Sequence, residues 1–106
     1  MIEDERCGKA LHYLEHTDED AAELKVQVSR KEYLLDLARR KVYLTAAGNI
    51  EERKAWAEMS DTVKAAHEEY IQAMLEHEKV KAKRLTEALI VEVWRTASVN
   101  RRVGNV

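Results

Sequence analysis

Residues 60–102 read SDTVKAAHEEYIQAMLEHEKVKAKRLTEALIVEVWRTASVNRR, a run without glycine or proline. Those two residues are the ones that most readily interrupt a helix. Their absence, with apolar positions near helical spacing, predicts one helix roughly 60 Å long at 1.5 Å per residue. A compact domain of 106 residues would be only about 25–30 Å across. The remainder of the chain is therefore expected to lie along this rod.

Ser60 with Asp61 supplies the N-cap signal that launches it. Val63, Ala66, Tyr70, Ala73 and Met74 form one stripe, and Ala82, Leu85, Leu89 and Val93 a second, joined near the end by Ala88, Ile90 and Trp94. Between them residues 76–81 (EHEKVK) interrupt the apolar pattern, either as a phase shift in packing or as a solvated charged segment. Periodicity fades after Ser98, so the helix is placed at 60–99 and a frayed tail at 100–106.

Working upstream, Asn49 can cap a short helix at 50–59, with Glu52 in the capping-box position. Gly48 is the natural C-terminal stop of the helix before it. That helix is placed at 18–47, with Thr17 as N-cap and Asp18, Glu19 and Asp20 in the first turn. Leu24, Val28, Leu35, Ala38 and Val42 fall on a heptad seam broken by Lys31, and Leu34, Leu37 and Leu44 widen the apolar face. A short first helix is placed at 3–16 on Ala10, Leu11 and Leu14, weakened at its start by Gly8.

The fold expected is all-α and single-domain over residues 1–106. It is an elongated, coiled-coil-like antiparallel helical hairpin with a short N-terminal helix and a short helical tip. A lone hairpin buries little apolar surface for its length. A homodimer forming a helical bundle is the expected remedy, with Leu34, Leu37, Leu85, Leu89 and Val93 as candidate dimer contacts.

Composition narrows the classes. Charged residues make up 36% of the chain and hydrophobic ones 45%, which with the periodicity argues against disorder. Cys7 is the sole cysteine, so no intrachain disulfide can form and a reducing setting fits. The acidic start, Met1-Ile2-Glu3-Asp4-Glu5, is unlike a secretory signal, and no apolar run reaches the ~20 residues of a membrane span. A cytoplasmic protein is expected. The net charge of −2 conceals a gradient, with acids concentrated in the first 20 residues and bases from Lys79 onward. Antiparallel helices would bring these ends together.

His12-Tyr13-Leu14-Glu15-His16 matches H-x-x-E-H, in which two histidines one turn apart hold zinc and a glutamate activates water. A third ligand and a cleft are required as well, so the match is read as incidental. No metal, cofactor or catalytic residue is assigned. His67 and His77 stand among glutamates as solvated surface groups, and glycines at 8, 48 and 104 make no phosphate loop. Two surfaces remain. Ile50, Trp56 and Met59 sit at the tip, where aromatic and Met side chains anchor partner proteins. Lys79, Lys83, Arg95, Arg101 and Arg102 on the last helix are candidate phosphate contacts.

Residues 43–55 read Tyr-Leu-x-Ala-x-Gly-x-Ile-Glu-Glu-Arg-Lys-Ala, and the last helix carries Val93-Trp94-Arg95 and then Asn100-Arg101-Arg102. Over residues 33–104 this resembles short helical accessory proteins of tailed bacteriophages and prophages, sometimes associated with recombination and replication genes. The resemblance implies a bacterial host cytoplasm and assigns no catalytic residue. The function expected is a non-enzymatic interaction protein of phage DNA metabolism, engaging an unidentified protein partner. The alternative is a DNA-binding accessory factor using the basic face and tail of the last helix.

Overall fold

The computed structural model describes residues 2–104, which form three α-helices: α1 (Asp4–Thr45), α2 (Ile50–Met59) and α3 (Asp61–Gly104). The all-α helical hairpin expected from sequence is what forms. Asn49 caps α2, its side-chain oxygen accepting the Glu52 N–H at 2.9 Å. Gly48 provides the reversal after α1 with φ of +108°, a conformation that L side chains rarely adopt, and a Cβ there would run into the Glu52 side chain. Ser60 lies between α2 and α3 in extended conformation, and its carbonyl accepts the Lys64 N–H at 2.9 Å. No helix of the described residues is long and apolar enough to cross a membrane.

Two boundaries differ from expectation. The break at Thr17 is absent, and the separate helices at 3–16 and 18–47 are the single helix α1. Thr17 does not cap: its hydroxyl donates to the Tyr13 carbonyl at 2.7 Å, within the preceding turn. At the other end α3 runs through the expected start of the tail to Gly104; positions 105 and 106 lie outside the described residues. Arg101 and Arg102 in its last turn complement the negative end of the helix dipole there.

The chain divides into two compact units, residues 2–22 with 78–104, and residues 23–77. In the first, Trp94 bonds Asp4, Glu87 bonds Arg6, and Arg84 bonds Leu14, Thr17 and Asp18, so α1 and α3 run antiparallel. Cys7, Ala10 and Val91 form its buried cluster, with Ile2, Leu14, Ile90 and Trp94 packed around it. In the second unit Leu35, Ala57, Val63 and Ala73 are buried, and Lys31 Nζ meets a Glu69 carboxylate oxygen at 3.3 Å. There α2 is tied to α1 by Arg39 and Glu58 at 2.7 Å and by the Arg53 guanidinium 5.7 Å from the Tyr43 ring centre.

The inward positions keep three- and four-residue steps. On α3, Val63, Ala66, Tyr70, Ala73, His77, Val80, Arg84, Glu87, Val91 and Trp94 are all buried or half-buried. On α1 the same spacing runs Cys7, Ala10, Leu14, Thr17, Ala21, Leu24, Val28, Lys31, Leu35, Ala38 and Val42. The charged segment at 76–81 is thus no phase shift: α3 is continuous through it, with Glu76, Glu78, Lys79 and Lys81 exposed and His77 and Val80 half-buried. Leu85, Leu89 and Val93 of the second stripe, named above as candidate dimer contacts, do not face α1, being 64%, 58% and 53% exposed. Arg84 and Glu87 hold the inward positions instead, because both find partners on α1.

Candidate functional site

Most polar chemistry of the first unit is spent on itself. Arg84 donates one amino group to the Leu14 carbonyl at 2.9 Å and to the Thr17 hydroxyl, and the other to Asp18. Trp94 Nε1 donates to Asp4 Oδ1 at 2.7 Å, so the tryptophan of the Val-Trp-Arg motif fastens the first turn of α1. Arg6 forms a two-pronged pair with Glu87, 2.7 Å on each prong, in which hydrogen bonding from the guanidinium holds the Glu87 carboxyl below its ordinary range. The same bonds raise the Arg6 pKa further.

The H-x-x-E-H match is now explicit. His12 and His16 stack with ring centres 3.8 Å apart, and His16 Nδ1 lies 2.8 Å from the His12 carbonyl. No group of three or more His, Cys, Asp or Glu side chains is placed to hold a metal among the described residues. Cys7 is buried in the core cluster, away from any nucleophile's role on the surface.

The candidate phosphate contacts do not share one face. At about 100° per residue, Lys79, Lys83 and Arg101 fall within about 40° of one another, while Arg95 and Arg102 stand about 100–160° away. Lys83 lies over the Tyr13 ring, Nζ 4.5 Å from its centre, and Arg95 pairs with Glu92 at 3.0 Å. Two of the five cations are therefore engaged within the protein.

The tip residues are exposed: Ile50 59%, Trp56 62% and Met59 72%. Trp56 and Met59 stand one turn apart on one face of α2. Ile50 is about 120–180° round the helix, beside Gly48, Asn49, Glu51 and Arg53 in a shallow cleft. They form two surfaces rather than one.

A third surface escaped the sequence reading. Between the end of α1 and α2 lies a groove of about 600 Å³ lined by Arg39, Arg40, Tyr43, Leu44, Lys54, Ala57 and Glu58. Its apolar lining comes from Tyr43, Leu44 and Ala57, and its charged lining from Arg39, Arg40, Lys54 and Glu58. Arg39 is held by Glu58 at 2.7 Å and Asp36 at 3.7 Å, whereas Arg40 and Lys54 make no ion pair among the described residues. The apolar groove between these cations depends on how α2 folds back on the end of α1. Compared with protein-family models, characterised proteins and solved structures, the chain matches none.

Proposed function

We propose that this chain is a non-enzymatic interaction protein that docks a protein partner at the end where α2 packs on α1. The observation that carries the reading is the groove of Tyr43, Leu44 and Ala57 with Arg40 and Lys54 in its lining. An apolar lining removes a partner's apolar side chains from water, and two cations without internal ion pairs select against partners lacking acidic groups. The occupant is accordingly a short amphipathic segment with an apolar face and flanking Asp or Glu. Trp56 and Met59 are exposed on the opposite face of α2, about 100–160° round from Lys54, Ala57 and Glu58 at 100° per residue, and are the anchors for a separate partner contact. The resemblance to phage accessory proteins supports phage DNA metabolism as its setting.

Fluorescence anisotropy with labelled amphipathic helical peptides tests this reading. Acidic-flanked peptides should bind the protein, and basic-flanked versions of the same apolar pattern should not. The double variant R40E/K54E should reverse that preference. Equal binding of both peptide sets, or none by either, contradicts the proposal.

A further inference from the structure

The groove leaves a second surface unexplained. On α3, Ala82, Leu85, Leu89 and Val93 occupy the side turned away from α1, about 120–180° from the inward Glu87 and Val91 at 100° per residue. Leu85, Leu89 and Val93 are each more than half exposed. They recur at three- and four-residue steps over three turns, the pattern of a helix that packs on two sides. A helix facing one neighbour needs one apolar stripe. This one has two, and only the inward stripe is covered.

Charge selects the occupant and its direction. Lys81 and Glu92 flank the outer stripe on the same side, at its two ends, and both are exposed. Two α3 helices packed antiparallel about a two-fold axis near position 87 would place Leu85 of one copy against Leu89 of the other. The same axis would bring Lys81 opposite the second copy's Glu92, and Glu92 opposite its Lys81. Antiparallel helices match like flanks in this way, whereas parallel packing sets each flank against the opposite one and leaves Lys81 and the second copy's Glu92 roughly 16 Å apart along the axis at 1.5 Å per residue. Glu92 also accepts Arg95 from its own helix at 3.0 Å, which orients the carboxylate on that flank. The stripe is therefore complementary to itself in one direction only. We infer that a second copy of this chain covers it, through an antiparallel α3–α3 interface centred between Leu85 and Leu89. This surface shares no residue with the groove and does not rest on the groove's function.

Light scattering at micromolar concentration tests the inference on the full chain. The wild type should show twice the 12.3 kDa chain mass, and L85E/L89E a single chain mass with helicity retained in circular dichroism. K81E and E92K should each weaken dimerisation at least several-fold, and K81E/E92K together should restore it. A wild-type monomer, an assembly larger than two chains, or a dimer indifferent to L85E/L89E overturns the inference. Failure of the double charge swap to restore association overturns the antiparallel direction.

Discussion

Arg6 and Glu87, 81 positions apart in sequence, meet in a two-pronged ion pair with both N···O distances at 2.7 Å. Glu87 is 7% exposed, the one buried charged residue of the described chain, and it occupies an inward position of α3. The pair runs against the charge gradient, because a base from the acidic start of the chain meets an acid from its basic end. It fixes which side of α3 faces α1, and so which side is left for other partners.

This pair makes stability acid-sensitive in a definite direction. Hydrogen bonding from Arg6 lowers the Glu87 pKa from its ordinary 4.5. A carboxyl depressed on folding contributes fully above its unfolded value, and that contribution is lost as pH falls through the folded value. Urea midpoints should thus fall as pH drops below 4.5. E87Q, which cannot ionise, should flatten that acid limb and be less stable than wild type at neutral pH.

Arg84 locks the two helices at the next inward position. Replacing it by Ala leaves Asp18 and the Thr17 hydroxyl without their cross-helix donor. Loss of these charge-assisted bonds should destabilise by about 1–3 kcal/mol. R84K should recover only part of this, since an ammonium cannot reproduce the fork that reaches Leu14, Thr17 and Asp18 together. Chemical denaturation of the three proteins reads both effects.

The two internal glycines should respond with opposite sign. Gly8 is exposed within α1 and a Cβ there meets nothing within 4 Å. G8A should stabilise by about 0.5–1 kcal/mol through helix propensity. Gly48 sits at φ of +108° against Glu52, so G48A should destabilise by about 1–3 kcal/mol, as expected for a side chain forced into left-handed backbone. Thermal melts of the two variants should shift in opposite directions.

Trp56 should matter to binding and not to folding. With 62% of its surface exposed, W56A should change stability by no more than about 0.5 kcal/mol. Val63 gives the contrast: it is fully buried in the same unit, and V63A should cost about 1–2 kcal/mol from lost burial and a small cavity. Urea midpoints measured side by side separate surface from core.

Much of the helical plan is written locally. The Asn49 cap, the Gly48 reversal and the seam through Leu24, Val28, Leu35, Ala38 and Val42 follow from side-chain chemistry within a few residues. Thr17 misled because a threonine before three acids makes a good N-cap, while its actual partners, Tyr13 and Arg84, include one 67 positions away. The inward places of Arg84 and Glu87 on α3 were not legible, because their partners Asp18 and Arg6 lie 66 and 81 positions away in sequence. At the tip, Trp56 and Met59 were legible as apolar residues near the end of the hairpin, but not their exposure. The groove was not, since it exists only once α2 folds against Arg39, Arg40 and Tyr43.

The central claim, that the α1–α2 groove receives an acidic partner segment, is tested most directly by a photo-crosslinking residue placed at Leu44 in the native host cell. Irradiation should give an adduct to a distinct protein, mapped by mass spectrometry to a segment with Asp or Glu flanking an apolar face, and R40E/K54E should abolish it. Crosslinks from position 44 only to other copies of the chain, or an adduct that survives R40E/K54E, would contradict the account.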